Sequence, residues 1–213
     1  MGFEWIELSH GIRITLASFV LTDGHTLRLG TPPAGLRTYL SVRGGVEVPA
    51  VLGSRATDVL SGLGPAPLKA GDILPVGSSP STLPNIDVAP RRSMTNGPIL
   101  VHALLGPRAD WLADPRLMAG IPWTVSRRSN RVGIRLEGQA LKRHESRLGQ
   151  ELLSEGVVHG SIQVPPGGEP VLFLADHPVT GGYPVAAVVR DGDIDLAAQA
   201  VPGQTLWISL ETP

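Results

Sequence analysis

Several short runs of this chain place an apolar residue at every second position. Residues 12–16 read Ile-Arg-Ile-Thr-Leu, the alternation of a strand with one buried face. Residues 36–43 alternate more cleanly. Leu36, Leu40 and Val42 share a face with Thr38, while Arg37, Tyr39, Ser41 and Arg43 share the other. Gly44-Gly45 ends that run, and residues 46–51, interrupted by Pro49, suit an edge strand or a bulge. Turns at Pro65, Pro67 and Gly71-Asp72 lead into a short strand over 73–76. In the second half, residues 99–105 read as a buried strand. Over 130–138, Val132, Ile134 and Leu136 point one way and Arg131, Arg135 and Glu137 the other. Three β segments, 161–175, 183–189 and 205–210, close the chain. Two stretches have helical spacing instead. Residues 109–119 place Trp111, Leu112, Leu117 and Met118 on one side, despite Pro115, and 141–153 suit a short helix weakened by Gly149.

Many short strands and few helices predict a mainly β fold, a barrel or a sandwich. The 26 glycines and 20 prolines among 213 residues belong to turns between strands, because a chain that is 42% hydrophobic is globular. Residues 77–98 are rich in Ser and Pro and mark a boundary. The pattern therefore divides the chain into an N-terminal β subdomain, 1–98, and a C-terminal β subdomain, 99–213.

Charge and composition exclude several classes. With 18 basic and 19 acidic residues the net charge is −1, so neither nucleic acid nor an anionic membrane is an expected partner. Of the 18 basic residues only Lys69 and Lys142 are lysine, leaving 16 arginines and almost no candidate for a Schiff-base or P-loop lysine. The chain has no cysteine, which removes disulfides, thiolate nucleophiles and Cys-ligated metals. No apolar run approaches the roughly 20 residues that cross a bilayer. The N-terminus, MGFEWIELSHGIRITL, lacks the basic-then-apolar order of a signal peptide, so the sequence predicts a cytoplasmic protein.

Familiar catalytic motifs are missing: no GxxxxGK[ST], no GxGxxG after a strand, no HExxH and no GxSxG. Asp191-Gly192-Asp193-Ile194-Asp195 begins with calcium-loop spacing, but it lacks the sixth-position Gly, and Pro202 stands where the bidentate Glu belongs. It reads as a solvated turn. The six histidines are scattered with no i, i+4 pair, so no metal site is expected, and His102 reads as a satisfied strand residue.

Ordered polar and turn clusters carry more. Tyr39-Leu-Ser-Val-Arg-Gly-Gly-Val-Glu-Val-Pro-Ala-Val-Leu-Gly-Ser-Arg-Ala-Thr-Asp58 is one block, and Leu68-Lys-Ala-Gly-Asp-Ile-Leu-Pro75 a second. From 126 to 189 come Ser-Arg-Arg-Ser-Asn-Arg-Val-Gly-Ile-Arg-Leu-Glu-Gly, Glu-Leu-Leu-Ser-Glu-Gly, Gly-Ser-Ile-Gln-Val-Pro-Pro-Gly-Gly-Glu-Pro and Asp-His-Pro-Val-Thr-Gly-Gly-Tyr-Pro. Asp195-Leu-Ala-Ala-Gln-Ala-Val-Pro-Gly203 closes the series. In this order, over about 27–210, the blocks resemble the carboxyltransferase-domain family. That family includes the carboxyltransferase region of urea carboxylase, proteins labelled allophanate hydrolase subunit 2, the antagonist of the Kip kinase inhibitor and the C-type subunit of bacterial 5-oxoprolinase. Its members carry further N-terminal sequence with a Gln-Asp-x-Gly-Arg-like segment. Here Met1–Asp23 leads almost directly into the Tyr39 block, so the usual N-terminal part is expected to be lacking.

The resemblance implies cyclophilin-like β-barrel subdomains with a few short helices. It implies one component of an ATP-dependent amide-hydrolysing complex, most closely the C-type subunit of 5-oxoprolinase, assembled with an A-type protein and a B-type, Kip-inhibitor-like protein. The ATP is used by the complex, and the substrate is a small amide. Two alternatives stay open: a carboxyltransferase acting on urea or a similar amide, with biotin carried by a partner, and a non-catalytic module that binds a Kip-inhibitor-like protein. Direct cleavage of allophanate is not expected, because nothing here resembles a Ser-Ser-Lys amidase site.

In that setting Asp176 is a candidate base or orienting group, Glu155 a second acid or base, and Gln163 a donor and acceptor for an amide. Gly181 and Gly182 would let backbone amides approach a ligand, Thr180 and Tyr183 supply hydroxyls, and Arg131 and Arg135 would hold a carboxylate. Each has a plainer alternative. Gly181-Gly182 also suits a hairpin turn, Asp176 a turn cap, the two arginines a solvated strand face, Gln163 a strand edge and Glu155 an ordinary surface position.

Overall fold

A computed structural model describes residues 6–8, 13–14, 19–82 and 96–211. Most of the strand expected over 12–16, and much of the boundary segment 77–98, lie outside the described residues. Two compact units form, one from residues 1–33 and 37–93, the other from 34–36 and 94–213. No helix among the described residues is long and apolar enough to cross a membrane.

In the first unit, β1 (Ile6–Leu8), β2 (Arg13–Ile14) and β3 (Leu27–Leu29) make an antiparallel sheet in the order β2-β1-β3. Beyond it the described residues are held by isolated bridges, Val46 to Val76, Val51 to Ser54 and Asp58 to Leu63. The strand expected over 36–43 does not form. Its alternation is real, but a strand exists only when a neighbour takes its N–H and C=O groups, and here a turn from Gly45 N to Val42 O takes over. Leu36 belongs to the second unit, where its N–H donates to Gln199 Oε1 at 2.9 Å.

The second unit is a closed seven-stranded barrel. Its strands are β4 (Ile99–Leu105), β5 (Trp123–Val125), β6 (Gly133–Glu137), β8 (Ser161–Gln163), β9 (Val171–Phe173), β11 (Val185–Val189) and β12 (Thr205–Glu211). They run β11-β4-β12-β5-β6-β9-β8, and β8 closes on β11. Only β4 and β12 are parallel; the other ladders of the barrel are antiparallel. A two-stranded ribbon, β7 (Glu155–Gly156) with β10 (Thr180–Gly181), lies apart from this order. The fold is thus mainly β, as expected.

The period-two pattern decides which side chains fill the barrel. Ile99, Val101 and Ala103 are buried on β4, whereas Leu100, Leu104 and Leu105 are exposed, so this strand alternates and is not buried on both faces. Ile134, Leu172 and Ile162 form one row across β6, β9 and β8, and with Trp123, Leu136, Leu206 and Ile208 they are almost completely buried.

Three expectations about helices fail, each for a local reason. Residues 109–119 form two 3-10 turns, Ala109–Trp111 and Pro115–Met118. Pro115 has no N–H to continue the first turn but starts the second well, and Asp114 Oδ1 caps it by accepting from Arg116 N at 2.9 Å. In 141–153 one 3-10 turn forms, Glu145–Arg147, and Gly149 follows it with φ +71°. Conversely, the presumed solvated turn at 191–195 opens α1 (Asp191–Ala198). Acidic Asp191 and Asp193 suit a helix N-terminus, and Ile194 and Ala197, three apart, are buried in the core. Asp193 is buried too. Its Oδ2 accepts from His102 N at 2.9 Å and lies 2.7 Å from His102 Nδ1, which satisfies the histidine.

Leu172→Ala should destabilise the barrel by about 2–5 kcal/mol, the usual cost of emptying a packed site. Leu100→Ala, at an exposed position, should stay within about 0.5 kcal/mol. Urea unfolding followed by tryptophan fluorescence, to which the buried Trp123 contributes, measures both.

Candidate functional site

Barrel register puts several of the expected site residues on one outer face. Arg135 pairs with Val171, Val171 with Gln163, and Gln163 with Val185. Directly paired residues project from the same side of a sheet, and this row is offset by one residue from the inner row of Ile134, Leu172 and Ile162. Arg135 and Gln163 therefore share the outer face, two strand spacings or about 10 Å apart. Outside the barrel a second small apolar cluster gathers Val157, Phe173 and Val185.

The β7–β10 ribbon brings Glu155 opposite Gly181 and Gly156 opposite Thr180. Gln163, only 4% exposed, lies against Gly181. A Cβ at Gly181 would sit 2.5 Å from Gln163 Nε2, so any larger residue would have to push the Gln163 amide aside. Gln163 Nε2 in turn donates to Tyr183 O at 2.9 Å. The Gly-Gly-Tyr bend is thus held from below by a buried amide. At Gly182 the nearest groups are Leu152 O and Ser154 Oγ, 3.5 and 3.7 Å from where a Cβ would be.

Beside this bend a cleft of about 510 Å3 opens. Gly182 and Tyr183 line it together with Arg143, Gln150, Glu151, Leu152 and Pro166. Pro166 belongs to the Pro-Pro-Gly-Gly turn between β8 and β9, where one strand was expected across 161–175. Gly168 closes that turn with φ +78°. A Cβ there would meet Leu141 O at 2.6 Å, and the carbonyl of Gly168 accepts from Leu141 N at 2.9 Å.

Glu155 is gripped by Arg108. The guanidinium donates from Nε to both carboxylate oxygens at 3.0 Å and from Nη2 to Oε1. Arg108 is itself anchored through its N–H to Val185 O at 3.0 Å. These hydrogen bonds hold the Glu155 carboxyl below its ordinary value of 4.5; partial burial opposes them and the guanidinium charge assists. The same bonds push Arg108 above its already high value. Glu155 is therefore ionised at neutral pH, an acceptor and not a proton donor.

Asp176 and Arg131 form a separate couple. Arg131 Nε lies 2.8 Å from Asp176 Oδ2, Nη2 donates to Oδ1 at 3.2 Å, and Asp176 N donates to Arg131 O at 3.2 Å. The arginine expected to hold a ligand's carboxylate holds one of the chain's own. Glu155, Gln163, Thr180, Gly181, Gly182 and Tyr183 come together, with Arg135 on the same barrel face. Of these residues only Gly182 and Tyr183 are in the cleft lining, and Arg131 and Asp176 form their couple outside it. Sequence reading missed Arg108, because Gly106-Pro107-Arg108 carries no pattern of its own. It also missed Arg143, Gln150 and Glu151, which fall in the stretch expected to be a helix.

A family model described as the carboxyltransferase domain, subdomains A and B, matches residues 8–209. The chain belongs to the carboxyltransferase-domain family. Among its relatives, the C-type 5-oxoprolinase subunit of Escherichia coli (strain K12) is 38% identical over 188 residues, covering 86% of this chain and 59% of that protein. Urea amidolyase of Saccharomyces cerevisiae is 30% identical over 205 residues, 86% of this chain and 11% of its own length. The solved structure of the K. lactis urea amidolyase superposes with a TM-score of 0.87 at 27% identity, covering 100% of this chain and 14% of that one. The chain thus spans 59% of the length of the bacterial oxoprolinase relative.

In this carboxyltransferase domain the Arg108–Glu155 pair gives a signed pH dependence. A carboxyl lowered by folding contributes stability above its unfolded value, and that contribution is lost as pH falls through the folded value. The difference in thermal midpoint between wild type and Glu155→Gln should be constant above about pH 5 and shrink below 4.5. Melts taken in steps from pH 7 to 3 test this. Gly181→Ala should displace the Gln163 amide and break its bond to Tyr183 O, which a loss of amide-proton protection at Gln163 Nε2 would report.

Proposed function

We propose that this chain is the C-type component of a 5-oxoprolinase-like complex that opens a small amide with ATP. It would act with an A-type partner and a B-type, Kip-inhibitor-like partner, in the cytoplasm where ATP is supplied. The observation that carries this reading is the 38% identity to a C-type 5-oxoprolinase subunit over 86% of the chain. The cleft beside Gly181-Gly182-Tyr183 supports it chemically.

Opening an amide builds negative charge on the carbonyl oxygen and needs that charge met by fixed donors. The bend at 181–183 is the proposed donor region, held by Gln163. Thr180 and Tyr183 would contribute hydroxyls. Glu155, ionised and fixed by Arg108, is the proposed acceptor of a substrate N–H or proton. Asp176, paired with Arg131, is proposed to set the orientation of the segment leading into the bend, and Arg135 to guide an anionic substrate along the outer face.

The cleft lining does not fit a triphosphate. Its one guanidinium, Arg143, is balanced by one carboxylate, Glu151, and among the described residues there is no cluster of three or more His, Asp or Glu that would hold a metal ion. Nucleotide use would belong to the partners in this reading.

The urea amidolyase likeness, with its TM-score of 0.87, favours a second reading, transfer of a carboxyl group to an amide nitrogen. The neutral, polar lining fits a cyclic urea as well as a cyclic amide, and biotin would supply the activated carboxyl group. Neither Lys69 nor Lys142 lies in a Met-Lys-Met-like acceptor sequence, so biotin would arrive on a partner.

Reconstitution separates the two. With A-type and B-type partners and ATP, 5-oxoproline opening should require this chain and fall at least about 100-fold with Gly181→Ala, as when an oxyanion donor is misplaced. Equal turnover without the chain would sink the reading. Carboxylation of urea by a biotin-bearing partner, with no 5-oxoproline turnover, would establish the second.

A further inference from the structure

Arginines in the barrel unit are mostly spoken for. Arg108 is paired with Glu155, Arg128 with Glu137 and Glu169, Arg131 with Asp176, Arg147 with Asp110 and Arg190 with Glu211. Arg116, Arg127, Arg135 and Arg143 make no ion pair among the described residues, and of these four Arg143 alone lines the cleft.

It is nevertheless held in place. Leu112 and Arg143 form a backbone bridge, flanked by Ala113 N to Lys142 O at 2.9 Å and His144 N to Trp111 O at 2.8 Å. The guanidinium carbon lies 5.3 Å from the ring centroid of Trp111, whose side chain is buried. Nη1 donates to Gln150 O at 2.8 Å. Gln150 is fixed in turn, donating from Nε2 to Ser146 O at 2.8 Å and from its N–H to Arg147 O at 3.2 Å. A guanidinium with one face on an indole and one amino group tied to a carbonyl keeps Nε and Nη2 for a ligand. That edge matches a carboxylate with two parallel hydrogen bonds. Glu151, in the same lining, also has no ion pair among the described residues and can accept an N–H.

We propose that Arg143 is the carboxylate anchor of this cleft, so that it selects small amides carrying one carboxylate over uncharged amides such as urea. The inference rests on the proposed amide-opening role for its choice of probe, though not for its geometry. It replaces Arg131, which is committed to Asp176, as the residue that reads the substrate's charge. Glu151 disfavours a second carboxylate and faces the ligand's N–H.

Titration of 5-oxoproline and of 2-pyrrolidinone, the same ring without the carboxylate, into the full chain tests this by calorimetry. The wild type should prefer 5-oxoproline by about 10- to 100-fold, the range of a charge-assisted hydrogen bond. Arg143→Met should bring the two ligands to parity. Arg143→Lys, which keeps the charge and stem but loses the fork, should fall between and controls for damage to the Trp111 contact. Arg116→Met, an exposed arginine outside the cleft, should leave the preference unchanged. A wild type that binds neither ligand or both equally, or an Arg143→Met protein that melts normally and keeps its preference, overturns the proposal. Failure of the amide-opening role reads out separately, as turnover by the complex without this chain.

Discussion

Closure of the seven-stranded barrel is the constraint on which the rest depends. Once β8 pairs with β11, every strand residue must point in or out, and a slip of one position would exchange the two sets. The inner row of Ile134, Leu172 and Ile162 therefore fixes the outer row of Arg135, Val171, Gln163 and Val185. Site geometry follows from core packing: Gln163 is aimed outward because Ile162 is needed inside.

The site itself is made outside that wall. A short ribbon, a Pro-Pro-Gly-Gly turn and an irregular segment from 142 to 155 lean over one face of the barrel. Contacts between exposed charges contribute little to stability, so the ion pairs here act chiefly as geometric ties. Arg108 fixes Glu155, and with it the ribbon that presents Gly181. Trp111 fixes Arg143 through its ring, while Asp110, its neighbour, holds Arg147. A chain with so little lysine uses planar guanidinium groups to lock loops that have little regular secondary structure.

Strands with a buried face were legible in the sequence, because alternation is a direct print of the barrel wall; β6 is the clearest instance. The run at 36–43 shows the limit of that signal, since alternation cannot announce whether a neighbouring strand exists. Helices were misread for a related reason. Spacing at 109–119 was helical, but Pro115 divided it, whereas α1 hid behind Gly192 and three aspartates that look like a turn until Ile194 and Ala197 are seen to be buried. Of the candidate site, the Gly-Gly-Tyr bend stood out as polar and bendable residues between apolar runs, whereas Glu155 and Gln163 were singled out only within the blocks that carry the family resemblance. Arg108 and Arg143 did not stand out, because their roles come from partners that are distant in sequence or sit in loops.

The parallel pairing of β4 with β12 has a mechanical corollary. The barrel's first strand enters at Ile99 beside Leu206 and its last leaves at Glu211 beside Leu104, so the polypeptide comes in at one rim and departs from the opposite one. Tension applied through flanking chain would load that ladder in shear, straining its hydrogen bonds together instead of unzipping them singly. Spliced into a longer polypeptide, the module would behave as a stiff link in series.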